Sequence, residues 1–278
     1  MTTLAGSPSA PIPTAVAPRR ASSTRRVAAL ARAEMLLLLR NRTTLVIAVG
    51  LAPATVGSLA WAMAGTLTDD GGARAVGAFT LTSLVAVALL FVVYYNLTTT
   101  FVARREELVL KRLLTGEVTP VEVVVACAVP AVAILLAQLG LGAVAVAVWL
   151  DLPPVTHPQW LLSGVVGGVV VFVLLAVASS ALTRTVESAQ LTTMPVLLVA
   201  TALSGFTIPL EALPDVVTAI AVWTPMYPVV ALLEAGFGGG SGPDLSWSGV
   251  GQPLLCLVLW TVNGVWFARS RMRWEPRR

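Results

Sequence analysis

The sequence predicts an all-α integral membrane protein with six transmembrane helices and both termini cytoplasmic. Three observations carry that prediction. The chain is 56% hydrophobic and only 12% charged, where a soluble domain carries roughly a quarter charged residues, and its mean hydropathy is +0.85. Six apolar stretches follow one another, at about 45–64, 78–100, 120–150, 160–183, 189–208 and 249–268, each long enough for the roughly 20 residues a spanning helix needs. Seventeen of the eighteen Lys and Arg residues then fall on one side of such a bundle, with Arg74 alone on the other.

That last distribution sets orientation, because positive loops are retained in the cytoplasm. Arg19, Arg20, Arg25, Arg26, Arg32, Arg40 and Arg42 precede the first span. Arg104, Arg105, Lys111 and Arg112 lie between the second and third, Arg184 lies between the fourth and fifth, and five arginines follow the last. An odd number of spans would place one basic terminus outside, so the tally selects an even number.

Residues 1–24 are rich in Ala, Pro, Ser and Thr, too poor in large apolar groups to offset the entropy of ordering, and read as a disordered cytoplasmic tail. The transmembrane domain occupies 25–268, and 269–278 form a basic cytoplasmic tail. The region before the first span is far longer than the charged segment of a secretory signal, so that span is retained. The third stretch is longer than a bilayer requires, with a kink at Pro130 or a first turn at the interface as the two explanations.

Several function classes are excluded or weakened. Lys111 is the only lysine and Leu110 precedes it, so the phosphate-binding G-x-x-x-x-G-K-[ST] loop is absent and any ATP hydrolysis belongs to another polypeptide. His157 stands alone in a Pro-rich loop, and Cys127 and Cys256 lie in apolar runs, which gives neither a metal site nor a disulfide framework. No catalytic constellation is present, so the chain is not expected to be an enzyme. The pI of 9.7 reflects orienting loop charges rather than nucleic-acid binding.

The span centres lack the carboxylates, His or Arg that mark ion-coupled carriers. Glu122, near the start of the third span, reads as a carboxylate snorkelling to the interface. Neutral polar residues remain, among them Tyr94, Asn96, Gln138, Gln190, Thr193 and Asn263, which either line a path for an amphiphile or bond between helices. Gly164 and Gly168 are four apart and mark a close helix approach, within one chain or with a second copy.

Three segments flank or interrupt the spans. Arg25, Arg26, Arg32 and Arg40 share one side of residues 25–43, with Val27, Leu30, Ala31, Leu37 and Leu38 mostly opposite; the pattern, with Glu34 and Leu36 as its misfits, reads either as an amphipathic helix lying in the inner interface or as a simple positive-inside flank. Arg104, Arg105, Glu106, Glu107, Leu110, Lys111, Arg112 and Leu113 form a charged, leucine-threaded stretch that Gly116 stops. Glu107 and Lys111 are spaced i, i+4, predicting a short amphipathic cytoplasmic helix that either docks a partner or lies passively at the interface. Residues 209–248 carry no Lys or Arg, yet hold Pro209, Pro214, Trp223, Pro225 and Tyr227 among apolar residues; short helices re-entering the outer leaflet fit.

These three features, in this order, resemble the membrane subunits of ABC-2 type exporters over about 25–278. The more specific part is Ser204-Gly205-Phe206-Thr207-Ile208-Pro209-Leu210-Glu211-Ala212-Leu213-Pro214 with Trp223-Thr224-Pro225-Met226-Tyr227-Pro228. The chain departs from the family in having Leu108-Val109 where a small residue and Thr often precede the basic pair. The resemblance implies that the charged stretch couples to a separate ABC ATPase. Two ATPases and two permeases, identical or related, would form the exporter, with ATP and Mg on the partner and no cofactor here. Cargo would be lipophilic or amphiphilic (a drug, an antibiotic or a lipid), moved outward. Seventeen arginines to one lysine suit a GC-rich bacterial genome and a bacterial plasma membrane. An ATP-independent carrier or channel, and a scaffold that binds an ATPase without moving cargo, are the alternatives.

Overall fold

A bundle of long helices packs around the second apolar stretch. The structure is a computed structural model that describes residues 22–40, 42–64, 70–106, 119–208, 210–238 and 247–271; regular structure among them is helical. In chain order these are α1 (Ser23–Arg40), α2 (Arg42–Ala64), α3 (Asp70–Ala88), a π-helical segment (Leu89–Tyr95), α4 (Asn96–Glu106), α5 (Pro120–Trp149), α6 (Pro158–Leu182), α7 (Val186–Ala202), a 3-10 turn (Leu210–Ala212), α8 (Asp215–Ala221), α9 (Tyr227–Phe237), a second π-helical turn (Trp247–Gly251) and α10 (Gln252–Arg271).

The predicted stretches overlap helical structure, although the fifth, predicted over 189–208, leaves the helix after Ala202. Four runs are long and apolar enough to cross a bilayer: Gly72–Glu106, Pro120–Trp149, Pro158–Leu182 and Gly249–Ser270. α7 is shorter, at 17 residues, and its first turns hold Glu187. Pro130 lies inside α5, which continues through it as one helix of 30 residues. α1 begins at Ser23, two residues ahead of the predicted boundary, and α10 extends into the predicted tail as far as Arg271.

The run Gly72–Glu106 is the hub: its apolar window is 78% buried, against 28–39% for the other three spans. Leu89, Leu90, Tyr94 and Leu97 are inaccessible along it. The π-helical turn inserts extra residues into the repeat, burying Tyr94 while leaving Phe91 and Asn96 outside. Tyr94 Oη and Ser179 Oγ are 2.9 Å apart, and the Tyr94 ring meets Phe172 edge-on at 6.2 Å.

Small residues let α6 sit close to its neighbours, the usual packing device where lipid removes the hydrophobic drive between helices. A Cβ on Gly164 would lie 3.3 Å from both Leu232 Cβ and the Val229 carbonyl; one on Gly168 would lie 2.7 Å from Leu89 Cδ1. The Gly164/Gly168 pair therefore serves contacts within this chain, against α9 and the π-helical segment. Gly236 closes the same seam from the α9 side, where a Cβ would meet the Leu161 amide at 3.0 Å. α9 stops at Gly238, whose φ of +86° favours glycine.

The bundle has two distinct ends. At one, the Gly236 carbonyl accepts from the amides of Thr156 (3.1 Å) and His157 (3.0 Å), and Gly77 abuts the Asp151 carbonyl. At the other end, α1, the close of α4, the start of α5 and the close of α6 converge on a set of charged side chains.

Candidate functional site

The charged end is built from four elements that meet on either side of residues 107–118. α5 begins there for a local reason: Thr119, Pro120 and Glu122 form a capping box. Glu122 Oε2 accepts from the Thr119 amide at 2.8 Å, Thr119 Oγ1 accepts from the Glu122 amide at 3.4 Å, and Pro120 occupies the first turn, where its missing N–H costs nothing.

The same carboxylate holds α1. Ser23 Oγ donates to Glu122 Oε1 at 2.5 Å; Arg26 Nη2 donates to Oε1 at 2.8 Å and its Nε to Oε2 at 3.3 Å. Glu122 is 4% exposed, so it is a buried cap and ion-pair partner rather than a snorkelling side chain. Thr119-Pro120-Val121-Glu122 carries the [ST]-x-x-[DE] signature of a helix start, which is the signal that finds this role.

A second pair lies two turns along α1. Arg104 Nη2 reaches both carboxylate oxygens of Glu34 at 2.6 Å, and Cys127 Sγ sits 4.0 Å from Glu34 Oε1. This explains the acidic misfit of the α1 pattern. The side of α1 that meets the bundle is Arg26, Val27, Leu30, Ala31, Glu34, Met35 and Leu38, all part-buried, while Arg25, Arg32 and Arg40 are exposed. Arg26 therefore leaves the basic side predicted for it and joins the protein-facing one.

Arg105 turns the other way and closes the end of α6. Its Nη1 donates to the Ser180 carbonyl at 2.9 Å, and its Nη2 donates to the carbonyls of Thr183 and Arg184. A cation at a helix C-terminus satisfies orphan carbonyls and complements the helix dipole, and Arg105 is 6% exposed. Adjacent arginines thus bind different partners, Arg104 the α1 helix and Arg105 the α6 terminus. Glu106 is exposed, and Glu107, Leu110, Lys111, Arg112 and Leu113 lie outside the described residues.

At the far end, one face of α10 holds the turn between α8 and α9. Gln252 Nε2 donates to the Val222 carbonyl at 2.7 Å, Cys256 Sγ lies 3.8 Å from the Thr224 carbonyl, and Trp260 Nε1 donates to the Trp223 carbonyl at 3.0 Å. These residues recur every four positions, as one helix face requires. Pro214 opens α8, Pro225 is buried, and Tyr227 opens α9; Pro209 lies outside the described residues.

The six neutral polar residues divide evenly. Tyr94, Gln138 and Thr193 are buried and bonded within the chain, Gln138 through its Nε2 to the Ala48 carbonyl and Thr193 to the Ala189 carbonyl at 2.8 Å. Asn96, Gln190 and Asn263 are exposed. Asn263 borders an open depression of about 350 Å³ with Trp223, Cys256, Leu259 and Trp260.

Long apolar helices around a buried hub, with the part-buried ion pairs among the described residues gathered at one end, define a multi-pass membrane protein. Its family follows from residues 25–237, which match the ABC-2 type transporter family: the chain belongs to that family and is a permease component of an ABC-type transporter. The matched domain is the membrane component and carries no nucleotide-binding domain of its own, which implies partnership with an ABC ATPase. No curated protein matches the chain.

Proposed function

We propose that this permease works as the membrane half of a bacterial plasma-membrane exporter, with six spans and both termini cytoplasmic. Two copies, or one copy and a related chain, assemble with two separately encoded ATPases and move a lipophilic or amphiphilic compound outward. The observation that carries this reading is the bracket around residues 107–118. Arg104 and Arg105 precede that segment and Glu122 follows it, and their partners lie on α1 and α6. A displacement of the segment by a bound ATPase is handed to the interfacial helix through two ion pairs, and to the fourth span through Arg105. Rigid helices transmit such a shift because packed interfaces move between discrete arrangements.

An uncharged bundle interior favours an apolar cargo, since a fixed intramembrane charge is what an ion path would need. The exposed sides of the π-helical segment, the start of α4 and α7, with Phe91, Asn96 and Gln190 respectively, offer the neutral wall such a cargo would follow between two permeases. Residues 209–248 would form the outer, re-entrant part.

The test acts on the segment itself. The tagged permease is purified from its own membranes in mild detergent, alongside the variant Lys111→Glu/Arg112→Glu, and the ATPase that accompanies it is quantified. We expect a stoichiometric ATPase with the native chain and an about tenfold loss with the variant, equivalent to about 1.4 kcal/mol, at unchanged membrane insertion. Equal recovery in both preparations overturns the coupling assignment.

A further inference from the structure

One face of α1 remains after the bundle has taken the other. It carries Arg25, Arg32 and Arg40, with Arg42 exposed just beyond it, and three leucines, Leu36 (49%), Leu37 (58%) and Leu39 (51%), stand open. The first half of α1 presents arginine and alanine outward, and its last turns present leucine followed by Arg40. α1 is about 27 Å long at 1.5 Å per residue, and α2 starts one residue after it ends.

The only acidic residue of α1, Glu34, is turned inward to Arg104. The described outward face therefore carries no carboxylate, with arginines at both ends and exposed leucines between Arg32 and Arg40. An acidic protein surface would match the arginines but leave the leucines, next to a spanning helix, without a counterpart. A phospholipid supplies both kinds of contact: phosphate at headgroup level for the arginines, acyl chain below it for the leucines that stand between them. Four arginines on such a helix reach the charge density at which an anionic headgroup is favoured over a zwitterionic one.

We propose that this face of α1 binds anionic phospholipid of the inner leaflet. Arg25, Arg32, Arg40 and Arg42 hold headgroup phosphates, and Leu36, Leu37 and Leu39 seat among the acyl chains. The inference rests on the placement of this end at the cytoplasmic side, and it makes α1 a two-sided clamp. Lipid holds its outer face, while Arg26 and Glu34 on its inner face hold the two ends of segment 107–118. The coupling segment is then fixed relative to the bilayer surface only where that surface is anionic.

The experiment uses the full-length permease in detergent and needs no ATPase, so it can fail while the coupling assignment stands. Thermal unfolding is followed in mixed micelles containing phosphatidylglycerol or phosphatidylcholine. A ligand that binds the folded form raises its midpoint, and a rise of at least about 3 °C is expected with phosphatidylglycerol over phosphatidylcholine. The variant Arg25→Gln/Arg32→Gln/Arg40→Gln loses that difference, Arg25→Lys/Arg32→Lys/Arg40→Lys keeps it, and Arg184→Gln/Arg269→Gln, which removes exposed arginines elsewhere, also keeps it. An equal midpoint in the two lipids for the native chain overturns the proposal. So does a phosphatidylglycerol response that survives the glutamine triple; if that triple also loses the copurifying ATPase, the face belongs to the protein partner.

Discussion

The two ends of the bundle are held together by different physics. At the charged end, four elements meet through carboxylates and guanidiniums: Arg26 with Glu122, Arg104 with Glu34, and Arg105 on the α6 terminus. At the far end the seam between α6 and α9 closes through missing side chains, at Gly164, Gly168 and Gly236, and α10 secures the α8–α9 turn with neutral donors on carbonyls. Its one ion pair among the described residues, Arg74 with Asp151, spans 4.0 Å and is more than half exposed. A glycine seam has one arrangement and resists any other. Ion pairs between separate elements fix register equally well, yet they can be exchanged when a neighbour moves. The end whose contacts can be exchanged in this way is the one that flanks segment 107–118 in the sequence.

The largest effect should come from the glycine seam. Gly168→Leu puts a branched side chain where a Cβ alone already meets Leu89 at 2.7 Å and Val229 at 3.0 Å, and overpacking of this kind costs about 3 kcal/mol. Unfolding of the purified permease by heat or by a denaturing detergent should show it, with export lost in proportion to folded protein. Arg105→Ala should follow at about 2 kcal/mol, because it strips the α6 terminus of its cation and leaves three carbonyls to find water. A larger loss from Arg105→Ala than from Gly168→Leu would break the comparison, since the charged end would then be the stability-determining one. Arg105→Lys should recover only part of the loss, because an ammonium cannot present the guanidinium fork that reaches Ser180 and Thr183 together.

Much of this was legible in the residues. Hydropathy located the four helices long enough to cross a bilayer because lipid-facing sequence must be continuously apolar, whatever it packs on; the fifth stretch overran its helix, which ends at Ala202. The Gly164/Gly168 pair announced a close approach. Its partner, α9, was hidden, because four-residue spacing describes one surface and says nothing of the opposing one. Glu34 looked like a flaw in an amphipathic pattern when α1 was read alone; it became the informative residue once Arg104, 70 positions away, was placed beside it. The capping box at Thr119–Glu122 was readable from four residues, whereas the convergence of Ser23 and Arg26 on that carboxylate depended on contacts 96–99 positions apart. Arg104 and Arg105 read as one basic pair, and only the helix they end could show that neighbouring side chains point to different elements.

The smallest effect is the one that sharpens the contrast most. Arg104 and Glu34 are part-buried, with side chains 22% and 18% exposed, so their pair is expected to contribute about 1 kcal/mol to stability. Glu34→Arg and Arg104→Glu should each lower the unfolding midpoint, because each sets like charges against one another at this contact. The double exchange Glu34→Arg/Arg104→Glu should restore most of the loss if opposite charge at this position is what matters. Stability and ATP-driven export then give separate readings. If the exchanged pair is only a fastener, both return together. If Arg104 also carries displacement from the segment it precedes, the midpoint returns while export stays low, because the cation now stands on α1 and a carboxylate adjoins Glu106 and Glu107. Gly164→Ala and Gly236→Ala offer no comparable separation: at the far end, whatever restores packing restores function.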